Sequence, residues 1–332
     1  MRVRFEKDAL DDPNSWRFLD RIVDHFATER HIWKIDNADD IENSEWLNSG
    51  IQGRSEKQNL DMFKYCCKDS AYSVLSSGMH SITLIITNCD SSDRHHLKPY
   101  EACRCLDKPA YVVVENSTSD GAFIEAMIYA FNRRELSDAH TERWWEFHHV
   151  GGTGEIIKQV DEIISKTDGP LRIFVMKDSD GLYPGHINEN TLDIESDCKN
   201  KNIPCHILIK RESENYLPID VLDNKKLPLS KIHKKTFKAF SVLKQYQKDF
   251  YDMKYGFKKD PHGHAIVPEE QKKLFAHLSQ KILDKLIGGF GKRIGEYFKD
   301  CRDMITKENM KISCLSDPDE IDKILNNIES LI

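Results

Sequence analysis

Residues 109–220 alternate short apolar, β-branched runs with longer helix-like stretches, and no other feature constrains the fold as strongly. Residues 111–115, 145–149, 171–176 and 205–209 read as strands. The stretches between them, 120–132, 154–166 and 189–201, read as helices, the first capped by Ser119 or Asp120. A strand–helix–strand series argues for a parallel sheet with right-handed crossovers. The expected class is therefore α/β, a mostly parallel sheet flanked by helices.

Three of these strand-like runs end in acid. Tyr111-Val-Val-Val leads into Glu115, Ile173-Phe-Val-Met-Lys into Asp178 and Asp180, and Cys205-His-Ile-Leu-Ile into Glu212 and Glu214. In extended backbone, positions i and i+2 point the same way, so Asp178 and Asp180 are expected side by side. Neighbouring parallel strands would gather all these carboxylates at one edge, where open α/β sheets bind ligands. Crowded carboxylates repel unless a cation lies between them, and hard oxygen ligands suit Mg²⁺ or Mn²⁺. Asp-Ser-Asp-Gly is also ordinary turn chemistry.

The flanks are less regular. Residues 1–108 read as an α+β region of no assignable role, with a helix at 15–29, a strand at 81–87 and a His-rich loop at 90–99. Residues 221–332 read as a mainly helical, lysine-rich extension, broken at Gly256, Pro261 and Pro268 and ending in a helix at 317–331. The 332-residue chain is 39% hydrophobic and 31% charged, enough for a real core. No run of about 18 apolar residues predicts a membrane span. Met1-Arg-Val-Arg-Phe5 has no secretory character, and nine cysteines, adjacent Cys66-Cys67 included, form no Cys-x-x-Cys. Reduced thiols in a cytoplasmic protein fit that usage.

The net charge of −7 hides a strong asymmetry. Residues 224–259 hold eleven lysines against two aspartates, a local +9, which leaves −16 for the rest. Lys225, Lys226, Lys231, Lys234, Lys235, Lys238, Lys244, Lys248, Lys258 and Lys259 are candidate phosphate contacts. Aromatic residues interleave with them (Phe237, Phe240, Tyr246, Phe250, Tyr251, Tyr255, Phe257) and could stack bases. At helical spacing the same rings are equally core residues.

Other motifs carry less. His149-Val-Gly-Gly-Thr-Gly-Glu155 and Gly288-Gly-Phe-Gly-Lys-Arg293 lack the Lys-Ser/Thr of a P-loop. The stretch from Asp178 to Glu189 has Tyr183 where a calcium loop needs Gly. His262-Gly-His264 reads as a turn, and His148-His149 as a strand end with one ring buried.

A Glu after the first strand, Gly-Gly after the second, Asp-x-Asp after the third and Glu-Asn-Tyr-Leu after the fourth together resemble the TOPRIM domain of OLD-type (overcoming lysogenization defect) nucleases. The resemblance covers about residues 109–300, including Arg211-Glu-Ser-Glu-Asn-Tyr-Leu217, Tyr251-Asp-Met-Lys-Tyr-Gly256 and Gly289-Phe-Gly-Lys292. It implies a TOPRIM-like core at 109–220, with Glu115 as first catalytic glutamate, Asp178 and Asp180 as the metal pair, Glu214 as the late glutamate and Lys254 near the scissile phosphate. It also implies one or two Mg²⁺ or Mn²⁺ ions held by Glu115, Asp120, Asp178, Asp180 and Glu214. Two departures stand out: Asn116 replaces the family's Gly, and Ser119 stands where a second acid is usual. Either Asp120 substitutes through a turn one residue longer, or that metal site is weakened.

OLD proteins carry a fused ATPase, and no ATPase motif is found in this sequence. The chain is similar instead to stand-alone TOPRIM effectors of bacterial anti-phage defence, such as the nuclease subunit of the PARIS system. That implies a Mg²⁺-dependent endonuclease acting on DNA or RNA, tRNA included, with a separate ATPase partner, no membrane role and a homo-oligomer left open. Two other readings remain. One is a glycosyltransferase using Asp178-Ser-Asp180 to hold Mn²⁺ and a nucleotide-sugar. The other is a degenerate TOPRIM module that binds a partner ATPase or nucleic acid without cutting.

Overall fold

The computed structural model describes residues 1–48, 61–66, 68, 81–223 and 231–332. Two four-stranded parallel sheets organise it. The first comprises β1 (Arg2–Phe5), β2 (Ile32–Trp33), β3 (Thr83–Ile86) and β4 (His96–Leu97), in the order β2-β1-β3-β4. The second comprises β5 (Ala110–Val114), β6 (Trp145–His149), β7 (Ile173–Lys177) and β8 (Cys205–Ile207), in the order β6-β5-β7-β8. Every pairing in both sheets is parallel. The expected strands of residues 109–220 are thus present within one residue of their predicted limits, except that β7 starts two residues later and β8 stops two earlier.

Alternation along the central strands explains how the second sheet is buried on both faces, as parallel sheets require. Val112, Val114, Phe174 and Met176 face one apolar core, while Val113, Ile173 and Val175 face another. Helix α1 (Trp16–Ala27) and α2 (Pro99–Asp107) pack on each other in the N-terminal region. On the second sheet, α3 (Ala122–Ala130) covers the first face, and α5 (Ile156–Ser165) and α6 (Glu189–Asn200) cover the other. Helix α4 (Arg134–Thr141) precedes β6. In α5, Ile156, Val160 and Ile163 fall on one helical stripe and are buried. Burial of each such side chain contributes roughly 1.5–3 kcal/mol.

Several expectations are corrected. Among the described residues of 1–108, the strands pair in parallel. Within the predicted loop at 90–99, His96 and Leu97 pair with β3, a two-residue strand too short to leave a periodic signal. Helix α4 was not legible either, since only Leu136 and Ala139 of it are buried. The C-terminal extension is less an appendage than the second layer of the main core. Helix α7 (Lys231–Phe240) opens its described part. Further on, Ile321, Ile324, Leu325 and Ile328 of α8 (Glu320–Ser330) form an i, i+3, i+4, i+7 stripe in the same cluster as α3. Within it, Lys258–Lys259 and Ala265–Ile266 pair as a small antiparallel hairpin around Gly263 (φ +88°), confirming a turn at His262-Gly-His264.

Among the described residues, no helix is long and apolar enough to cross a membrane. Cys89, Cys103, Cys105, Cys198, Cys205 and Cys314 are free thiols, and Cys67 lies outside the described residues.

Candidate functional site

The order β6-β5-β7-β8 sends the chain from β5 to one side and returns it to the other. The crevice beyond the carboxyl ends of β5 and β7 is therefore the switch point at which such sheets bind ligands. Val113 pairs with Val175, so the two-residue period carries Glu115 opposite Lys177. Lys177 is the last residue of an entirely buried strand, and its side chain is 0% exposed. Its Nζ donates to Glu115 Oε2 at 2.7 Å and to Asp180 Oδ2 at 2.8 Å. Burial works to lower its pKa, but Asp178, Asp180 and Glu115 outweigh it and raise the ammonium above the ordinary lysine range.

Asp178 and Asp180 do not point together as extended backbone would have them. The strand ends at Lys177, and Asp180 takes a left-handed conformation, φ +49°, which Asp tolerates better than most residues. The Ser179 hydroxyl donates to Lys210 O at 2.8 Å and fixes this bend. Asp180 consequently joins Glu115 and Lys177, while Asp178 turns toward a second group of acids.

Ser213 is the centre of that second group. Its backbone N–H donates to Asp178 Oδ1 at 2.8 Å, and its hydroxyl donates to Asp120 Oδ1 at 2.9 Å. The same hydroxyl lies 3.5 Å from Glu214 Oε2. Asp120 reaches it because Ser117–Gly121 forms a π-helical turn, one residue wider than an α-turn. Asn116 starts this turn by accepting from Thr118 N, and its own N–H donates to Asp120 Oδ2 at 3.0 Å. Asp120 thereby faces the rim from the position after Ser119.

Glu214 is fully buried, with Lys254 Nζ 3.0 Å from its Oε1. Desolvation, followed by the charges of Asp120 and Glu214, lifts the Asp178 carboxyl well above the ordinary carboxylate range. Desolvation also raises Glu214, against the pull of Lys254, and raises Asp120, against its hydrogen bonds from Asn116 and Ser213. Glu212 is buried beside this group, and its Oε2 has no hydrogen-bond partner. Burial and then Asp252 push its carboxyl up to about 8.

The later motifs support this arrangement from behind. Asn215 Nδ2 donates to Lys248 O at 2.7 Å and Tyr251 O at 2.9 Å, while its Oδ1 accepts from Glu212 N. Tyr216 donates to Glu320 Oε2 at 2.7 Å and ties the segment to α8. Gly256 (φ +60°) lets the Lys254 loop pass Leu286, whose carbonyl oxygen would lie 2.2 Å from any Cβ there. Phe290 N and Gly291 N donate to Met253 O and Lys254 O, so the glycine-rich turn holds the lysine's own backbone. Gly295 closes the site: a Cβ would lie 2.7 Å from Ser119 Cβ and 2.8 Å from Glu214 Oε1.

The lysine-rich segment divides by burial. Lys234, Lys235, Lys238, Lys244, Lys258 and Lys259 are exposed, while Lys248 is half-buried with its Nζ 5.8 Å from the Phe240 ring. Lys231 opens α7, and Lys225 and Lys226 lie outside the described residues. Phe240, Phe250, Tyr251 and Phe257 are core, and Phe237 packs partly buried against it. Tyr246 and Tyr255 remain exposed, with Lys244 and Lys292 over their rings. Base stacking by most of these aromatics is therefore excluded by their burial. Nor is either ring of His148-His149 fully buried: His148 is half-buried against Gln159 and His149 is exposed.

Among the described residues, no three His, Cys, Asp or Glu side chains already stand as a metal-ligating group. Lysine ammonium groups lie between the carboxylates instead. The donor chemistry nonetheless fits a hard divalent cation. Glu115, Asp120, Asp178, Asp180 and Glu214 supply carboxylate oxygens around Lys177 and Lys254, the donor type such an ion prefers. Lys177 and Ser213 carry little signal in the sequence. The one signal was a lysine closing an otherwise apolar strand; a serine between two glutamates offers none. Comparison with family models, with curated proteins and with solved structures finds no match.

Proposed function

We propose that this chain is a Mg²⁺-dependent nuclease that hydrolyses phosphodiester bonds at the β5–β7 crevice. One observation carries the reading: acids that follow three separate strands share one rim, around Lys177, Ser213 and Lys254. Asp120, Asp178 and Glu214, tied together by Ser213, are the residues that would hold the ion. When bound, such an ion lowers the pKa of a water and neutralises charge on the attacked phosphate. Lys254, on a loop fixed by Gly291, is placed to meet the phosphate's developing charge. Glu115 is positioned by Lys177 to accept a proton from the attacking water. The exposed lysines of α7 and of the hairpin would bind the nucleic-acid backbone.

A nucleotide-sugar transferase has less support, because it assigns no role to Glu115, Asp120 or Glu214. A non-cleaving TOPRIM-like module is favoured by one observation, that Lys177 and Lys254 already compensate part of the acid cluster. In this reading the chain is an anti-phage effector in the cytoplasm, triggered by a separate ATPase. Incubation with plasmid, single-stranded DNA and total RNA, with Mg²⁺, Mn²⁺ or EDTA, tests it. Metal-dependent cleavage lost in Asp178→Ala supports the nuclease. Cleavage unchanged in that variant rejects the site, and nucleic-acid or ATPase binding indifferent to EDTA favours the module.

A further inference from the structure

We infer that Lys177 is a built-in cation that occupies the place of a second metal ion, so that this rim binds one divalent ion, at Asp120, Asp178 and Glu214. The inference rests on the metal-dependent reading above and concerns how many ions that site takes. By direct contact the acids fall into two groups, although the charge of Asp178 also acts on Lys177. Glu115 and Asp180 converge on Lys177, at 2.7 and 2.8 Å. Asp120, Asp178 and Glu214 converge on Ser213, with Lys254 at the edge.

The two lysines differ in freedom. Lys254 is 23% exposed on a loop, and its four-carbon stem can swing off Glu214 toward an incoming phosphate when an ion arrives. Lys177 is 0% exposed and is the last residue of a central strand, with its backbone paired to Ile207 on β8 and its carbonyl accepting from Leu208 N. Any withdrawal would take its ammonium into the apolar core without a partner, which is the costliest placement for a charge. It cannot share its position either. An ion bridging Glu115 and Asp180 would need oxygens at roughly 2.0–2.1 Å and would meet a like charge already seated between them. Lys177 is thus a positioning residue. It fixes Glu115 and Asp180 at the rim without exchangeable metal.

Mn²⁺ binding to the full chain, followed by calorimetry and by electron paramagnetic resonance of free and bound ion, tests this. The expected stoichiometry is one ion per chain, without the spin coupling of a metal pair. Glu115→Gln should still bind one ion, whereas Asp178→Asn should bind none. Lys177→Met, where it folds, should gain a second ion, and Lys177→Arg should stay at one. Two ions on the unaltered chain, or loss of binding in Glu115→Gln, would overturn the inference while leaving metal-dependent cleavage intact. No binding to the unaltered chain, together with no metal-dependent cleavage, sinks the nuclease reading and this inference with it.

Discussion

The Lys177 ammonium lies 2.7 Å from the Glu115 carboxylate, and the two meet because β5 and β7 run parallel with Val113 opposite Val175. A buried ammonium therefore closes the crevice in which this chain's acids collect. The asymmetry of that contact is informative: Lys177 is fully enclosed, while Glu115 and Asp180 are 33% and 41% exposed.

From that asymmetry follows an order of stabilities. Lys177→Met leaves two carboxylates that water can still solvate, at a cost of about 1–2 kcal/mol. Glu115→Ala with Asp180→Ala strands a buried ammonium without its ion-pair partners, which costs about 3–5 kcal/mol. Urea unfolding of both variants measures the difference. The double variant should be the less stable, and the reverse order would mean that the lysine is not held by these acids.

Glu212 sets a pH dependence whose sign is fixed. Its folded-state value is raised to about 8 from an ordinary 4.5, so the folded chain keeps a proton that the unfolded chain releases. Its contribution therefore weakens stability as pH rises through that window. Glu212→Gln removes the penalty, and its stability relative to the unaltered chain should climb by up to roughly 3–5 kcal/mol between pH 4.5 and 8. Paired denaturation curves across that range read it. A flat difference would show that the carboxyl titrates normally.

Gly295→Ala probes how closely the 294–296 turn covers the site. The added methyl would sit 2.7 Å from Ser119 Cβ and 2.8 Å from Glu214 Oε1, so Ser119 or the turn must shift. A loss of about 1–3 kcal/mol is expected, with a drop in any metal-dependent cleavage, since Glu214 moves too. Thermal unfolding and a cleavage assay together check it; an unaffected variant would show the turn to be loosely packed.

The exposed lysines should act through salt. Replacing Lys234, Lys235 and Lys238 on α7 with Gln should weaken nucleic-acid binding of every sequence alike. Each phosphate contact removed should lower the slope of log K against log salt by roughly 0.7–0.9. Fluorescence anisotropy at several salt concentrations measures it, and an unchanged slope would place the contact surface elsewhere.

Much of the rim was legible before the fold. Apolar runs ending at Glu115, Asp178 and Glu214 are local patterns, and the strand period with parallel connection is enough to send them to one edge. Asp120 was legible only as an alternative to Ser119, because a π-turn depends on how Asn116 and Ser213 bond to it. The aromatics of the lysine-rich segment looked equally suited to stacking or to core. Burial of Phe240, Phe250, Tyr251 and Phe257 decided between the two.

By itself, then, the amino-acid order determined an α/β core and the strand ends at which its acids stand, since both depend on periodicities of a few residues. Only the tertiary structure decided that Asp178 and Asp180 part company, that Ser213 joins three carboxylates, and that Lys177 bridges Glu115 to Asp180. Those pairings depend on strand register and on a left-handed bend at Asp180, which are settled by packing between segments far apart along the chain.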